Sequence, residues 1–285
     1  MKNFKIGVMS DSFRLGPREG IRKARECGAD GIQIYAVRGE ISPEKLDAAA
    51  RADFRRFCAG LELEISALCG DLGGHGFQRP GENKAKIARS KLIVDLAADL
   101  GAPAVTTHIG VVPEDRSSAT RTTMREACRE LGDYAARRKV TFAIETGPEK
   151  AVVLRDFLQD VDSPGMGVNL DPANLVMVTA DDPVAAVGTL KQWIVHTHAK
   201  DGIQHKPCDP VKVYGAFAEG GVERLEIGKL FSEVPLGKGR VPWDHYLRAL
   251  EGIGYKGFLT IEREVGADPA ADIGEAVRFL RGKIG

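Results

Sequence analysis

The chain has 285 residues, of which 43% are hydrophobic and 28% charged, enough to bury one large core or two small ones. Its 40 basic and 40 acidic residues cancel, which excludes a global electrostatic pull toward nucleic acid or a membrane surface. Five cysteines with no C-x-x-C pair suit reduced thiols in the cytoplasm better than a disulfide framework, and no apolar run is long enough to span a bilayer.

Residues 1–5 lead straight into a strand, with no apolar signal core behind them, so a soluble cytoplasmic protein is expected. Phe4 to Met9 reads as that strand, ending at Ser10-Asp11, and residues 17–27 as a helix. Gly31 to Tyr35 is a second strand, followed by a helix over 43–59 opened by Ser42-Pro43. Leu61 to Leu68 runs into Cys69-Gly70-Asp71, then a loop containing Gly73-Gly74-His75-Gly76 and a helix over 83–100. Ala102 to Thr107 ends at His108, and 118–138 is a long charged amphipathic helix.

Val140 to Ile144 ends at Glu145, and a helix over 150–160 leads to Met166–Leu170, which ends at Asp171. A helix near 183–191 precedes the stretch Trp193 to Asp201, whose apolar start runs into His196-Thr197-His198-Ala199-Lys200. Alternation along a strand points His196 and His198 the same way and Thr197 the other. Segment 202–241 breaks the rhythm with mixed glycines, prolines and charges, and its length suggests a lid or an interface between subunits of a homo-oligomer. A helix over 242–253, a strand over 257–261 ending at Glu262, and a helix over 269–282 complete the chain.

Eight strand–helix units in a row predict a single (β/α)8 TIM barrel over residues 1–285, with an extended loop after strand seven. No G-x-G-x-x-G follows the first strand and no P-loop pattern occurs, so nucleotide-binding folds lose support. In such a barrel the active site lies at the carboxyl ends of the strands. Glu145, Asp171, His198 and Glu262 end strands five to eight, which stand side by side. Three carboxylates and an imidazole in one pocket call for a cation, and an oxygen-rich set with one nitrogen suits Mn²⁺, Mg²⁺ or Co²⁺, with Zn²⁺ as an alternative.

These residues sit in segments that resemble the xylose isomerase-like barrels, the group that includes ketose 3-epimerases and inosose-processing enzymes. The segments are Ala143-Ile144-Glu145, Asn169 to Asn174, His196 to Asp201, Pro235 to Gly239 and Gly254 to Glu262. The resemblance covers essentially the whole chain and is most specific from Glu145 onward. It implies one divalent metal held by Glu145, Asp171, His198 and Glu262, with Glu145 and Glu262 also serving as acid and base. The implied chemistry is proton abstraction beside a carbonyl, through an enediolate, on a small carbohydrate or cyclitol.

Around that set, His108, Asn174, Lys200 and Arg240 are candidate substrate contacts, and His196 is expected to touch substrate or to orient a neighbour. Asn174 is a departure, because tagatose epimerase-type relatives carry a substrate-contacting histidine there. No phosphate cradle stands out. Keto-sugar or inosose dehydration could use the same apparatus. An apurinic-endonuclease-like hydrolase is a further alternative, but it needs more histidine ligands than a chain with six histidines and balanced charge offers. Pairing of the carboxylates with arginines, for example Glu262 with Arg263, would instead favour a metal-free scaffold.

Overall fold

The computed structural model describes residues 4–285; the lead-in of residues 1–3 lies outside the described residues. Eight parallel strands close into a barrel: β1 (Lys5–Met9), β2 (Gly31–Tyr35), β3 (Glu64–Cys69), β4 (Ala104–Thr107), β5 (Thr141–Glu145), β6 (Met166–Leu170), β7 (Ile194–Ala199) and, after an insert, β10 (Phe258–Ile261). The insert contributes β8 (Asp201–Gln204) and β9 (Phe231–Val234). The barrel runs β1-β10-β7-β6-β5-β4-β3-β2, with β1 and β10 pairing to shut the ring. Helices between the strands cover its outside, and Phe54, Phe157 and Tyr246 are large helical side chains with no exposed surface. Among the described residues, no helix is long and apolar enough to cross a membrane.

Aspartate–proline pairs set several helix starts. Asp171, Asp182, Asp209 and Asp268 each accept backbone N–H groups of the helix that opens at the following proline. Ser42-Pro43 does not open the second helix, contrary to the sequence expectation. Ser42 O accepts from Lys45 and Leu46 in a turn, and the helix runs over Ala48–Gly60 with Asp47 capping Ala50 N at 2.8 Å. The cap with a satisfied side chain wins over the serine–proline signal.

The segment after β7 is more ordered than a loop. β8 and β9 form an antiparallel pair, and the helix Pro210–Glu219 lies between them in sequence. Strands of four residues and a ten-residue helix leave too short a periodic trace to read from sequence. One buried carboxylate fastens the insert. Asp201 accepts from Gly202 N, Gly237 N, Val241 N and Trp243 Nε1 at 2.9–3.1 Å. Gly239 is required beside it, since a Cβ there would overlap Asp201 Oδ1.

Asp201→Ala strands those buried donors, so a loss of about 3 kcal/mol or more is expected. Thermal unfolding tests it. A melting temperature within about 2 °C of wild type would contradict the clamp.

Candidate metal centre and active-site cleft

β10, β7, β6 and β5 are neighbours in the barrel, so the residues at their carboxyl ends share one region. Ligand atoms of Glu145, Asp171, His198 and Glu262 all lie within 4.8 Å of one another, and all four residues are buried. His198 Nδ1 is 3.4 Å from Glu145 Oε1, 3.4 Å from Asp171 Oδ2 and 3.3 Å from Glu262 Oε2. Donors around one divalent ion at bond lengths of about 2.1 Å stand about 3.0–3.5 Å apart as neighbours. The four donors therefore fit such an ion, and the cluster could hold one.

Each of these side chains is held by the local fold. Asp171 Oδ1 caps the turn after β6 by accepting from Ala173 N (2.8 Å) and Asn174 N (2.9 Å), which leaves Oδ2 for the cluster. Thr146 Oγ1 binds both Asp171 O and Asp171 N and ties the end of β5 to that of β6. Glu145 is gripped by amides, with Asn174 Nδ2 on Oε1 and Asn169 Nδ2 on Oε2, each at 3.2 Å.

Below the ligands, the barrel interior is polar where apolar side chains ordinarily dominate. Gln33 on β2 donates to Thr106 Oγ1 (2.8 Å) and turns its Oε1 across the barrel to His198 Nε2 at 3.0 Å. That contact lets Nε2–H donate to Gln33 Oε1 and turns Nδ1 toward the carboxylates, where a metal would take the place of its proton. Asn169 Oδ1 meets His196 Nδ1 at 2.8 Å, and Thr260 Oγ1 meets His196 Nε2 at 2.9 Å. Burial and the neighbouring His198 push the pKa of His196 well below the ordinary histidine value, so it is neutral.

Sequence reasoning missed Gln33 and Asn169. The available signal was a single amide inside each of the apolar strands GIQIY and MGVNL. Gln33→Leu is expected to weaken divalent-metal binding about 10–100-fold by freeing the imidazole to turn. Titration of the variant with Mn²⁺ against wild type tests this, and an unchanged affinity would remove Gln33 from the site.

The remaining candidates separate clearly. A cleft of about 870 Å³ opens above the cluster, and its lining includes Glu145, Glu262, His108, Asn174 and Lys200. His196 lies outside that lining, among Asn169, Ser66 and Thr260 in the barrel interior, so the expected substrate contact gives way to orientation of Asn169. Arg240 is exposed and is not among the residues that line the cleft, and its backbone N donates to Gly202 O.

His108 Nδ1 pairs with Asp71 Oδ2 at 3.0 Å, while its buried Nε2 has no hydrogen-bond partner and lies 3.8 Å from Glu145 Oε1. Burial works against a charged His108, but Glu145, Asp71 and Glu262 outweigh it and raise its pKa to about 10. Lys200 Nζ pairs with Glu262 Oε2 at 2.9 Å and also with Glu264. Burial opposes the charge on Glu262, yet Lys200 and His198 hold its pKa well below the usual carboxylate range. Arg263 faces away, pairing with Glu233 and Asp272 and not with Glu262.

No curated protein sequence matches the chain. Among solved structures, a xylose isomerase domain protein from Planctomyces limnophilus is 27% identical with a TM-score of 0.79, over 99% of this chain and 97% of that one. The probable 3-DHS dehydratase AsbF, involved in petrobactin synthesis in Bacillus anthracis, is 20% identical with a TM-score of 0.72, over 98% and 99%. A D-psicose 3-epimerase, solved in the presence of D-fructose, is 17% identical with a TM-score of 0.74, over 99% and 100%. The last two likenesses speak to the fold. A family model described as xylose isomerase-like TIM barrel matches residues 21–283, and with the barrel and its strand-end ligands in view, the chain belongs to that family.

Proposed function

We propose that the protein is a divalent-metal-dependent sugar epimerase or isomerase, acting by proton transfer beside a carbonyl. The observation that carries this reading is the buried convergence of Glu145, Asp171, His198 and Glu262 at the floor of a ligand-sized cleft. Mn²⁺ suits the three-oxygen, one-nitrogen donor set best, with Mg²⁺ or Co²⁺ next. Glu145, Asp171, His198 and Glu262 would hold the ion, and when bound it would supply Lewis acidity toward the substrate carbonyl, lowering the cost of negative charge on that oxygen.

The chain's own residues supply the proton traffic. Glu145, held by two neutral amides and open to the cleft, is the base that removes the proton from carbon. Glu262 stands three strands away around the barrel and closes the opposite side of the cluster. From there it returns a proton to the other face, with Lys200 beside it as the proton source. His108 presents its unpartnered Nε2 to a substrate hydroxyl, and Asn174 keeps Glu145 in place.

The Lys200–Glu262 contact also favours a second reading. An ammonium at that position could protonate a departing hydroxyl, which would make the reaction a dehydration of a keto-sugar or inosose; the fold likeness to a probable dehydratase is in keeping with it. A nuclease role fits poorly. Among the described residues one metal-ligand group is found, and the cleft lining includes six carboxylates (Asp71, Glu145, Glu219, Glu233, Glu262, Glu264), which repel a phosphodiester backbone.

The test is solvent exchange by NMR in D₂O with Mn²⁺ or Mg²⁺, against ketoses, keto-glycosides and inososes. Metal-dependent deuterium incorporation beside a carbonyl supports proton transfer at carbon, and the product formed separates epimerisation from dehydration. Absence of metal binding would overturn the reading.

A further inference from the structure

The cleft is larger and less polar than a free sugar requires. A hexose has about a dozen non-hydrogen atoms, whereas cavities of several hundred Å³ take drug-sized ligands; this cleft measures about 870 Å³. Besides the groups at the metal cluster, its polar lining includes His75, Gln78, Glu219 and Ser232. The upper walls include Met177 and Val178 from the turn after β6, Phe217 from the helix Pro210–Glu219, Val222 and Ile227 from the rest of the insert, and Val265 beyond β10.

Phe217 is 55% exposed and Val265 47%. Single exposed apolar residues need no explanation. Here several separate segments turn such residues into one cavity. The apolar wall is also continuous with the reacting floor through one helix: Tyr214 packs on the His108 ring at 5.6 Å and on Phe217 at 6.3 Å.

Charge narrows the ligand further. Among the described lining residues there is no arginine, and the one lysine, Lys200, is already held by Glu262 and Glu264. The cationic His108 stands beside Glu145 and Asp71, and His75 pairs with Glu219, so a phosphate or carboxylate on an arm away from the metal cluster finds no free counter-charge.

We infer that the substrate is neutral and bipartite: a polyhydroxylated carbonyl compound at the metal ligands, carrying an uncharged aromatic or alkyl arm against the upper wall. A keto-glycoside with an apolar aglycone has that chemistry. This deepens the proposed function and rests on it for the floor of the cleft, while the wall stands on its own residues.

Matched probes test it. The methyl and phenyl glycosides of one keto-sugar, and the 6-phosphate of the methyl glycoside, are titrated into Mn²⁺-loaded protein by calorimetry. The phenyl compound is expected to bind about ten-fold more tightly than the methyl compound, and the phosphate more weakly than either. Phe217→Ala and Val265→Ser, both at half-exposed positions, are expected to bring the phenyl-to-methyl ratio down toward one.

Equal affinities in the wild type, a ratio untouched by both substitutions, or tightest binding of the phosphate would each overturn the inference. So would a dimer that Phe217→Asp dissociates in sedimentation with no phenyl preference, since the wall would then be a subunit interface. Failure of the metal reading looks different. A phenyl preference in protein that takes up no Mn²⁺ retains the subsite and removes the metal chemistry; Mn²⁺ uptake without a phenyl preference does the reverse.

Discussion

Glu145→Gln is expected to lower metal-dependent exchange about 10³-fold or more, the largest loss of any single substitution in the cleft. The glutamine keeps the size of the side chain and one carbonyl acceptor, so one of Asn169 and Asn174 keeps its partner while the other amide meets an NH₂ group. A melting curve of the variant checks that the fold persists. What disappears is the basic oxygen that faces both the cluster and the cleft. The proposed function gives Glu145 two tasks, however, and a loss of metal alone could mimic a loss of base.

Asp171→Asn separates the two. Asp171 is fully buried and is not among the cleft-lining residues, so it is not placed to act on substrate as a base, while an asparagine can still cap Ala173 and Asn174. Its variant is expected to bind Mn²⁺ more weakly and to recover most activity at saturating metal. Glu145→Gln is expected to stay inactive there. Recovery of Glu145→Gln by excess metal would strip Glu145 of its role as base and leave it a ligand.

The four-residue cluster was legible because each member follows a short apolar run, and consecutive parallel strands must put their ends together. The supporting amides were not. Gln33 and His198 are 165 residues apart in sequence and meet only because the barrel closes on itself. The tie of the Gly237–Val241 segment to Asp201, which leaves Arg240 exposed, was hidden for a related reason: it joins residues about 40 apart that only tertiary packing brings together. The apolar wall was equally hidden, since Phe217 and Val265 belong to segments whose convergence no periodicity encodes.

Metal uptake should be driven against a proton on His198, and the competition has a definite sign. Burial alone would keep that imidazole neutral, yet Glu262 and Glu145, helped by hydrogen bonds that the imidazole donates to Asp171 and Glu145, raise its pKa well above the ordinary histidine value in the metal-free protein. Nδ1 then carries a proton that a metal must displace. Apparent Mn²⁺ affinity is expected to rise about ten-fold per pH unit below the folded pKa, with about one proton released per ion.

The same proton stabilises the metal-free fold. A raised folded pKa contributes stability that is complete below the unfolded value of about 6.5 and is lost as pH climbs through the folded value. Chelated protein should therefore weaken toward alkaline pH while the Mn²⁺-loaded protein, whose His198 has no such proton to lose, should not. At metal concentrations of about 100 times Kd the gain is about 2.7 kcal/mol, or about 5–10 °C for a domain of this size. Melting curves with Mn²⁺ and with chelator, taken between about pH 6 and 8, should show this gap widening as pH rises. A gap that narrows toward alkaline pH would mean His198 is not the group the metal displaces, and no gap at any pH would mean the cluster binds no metal.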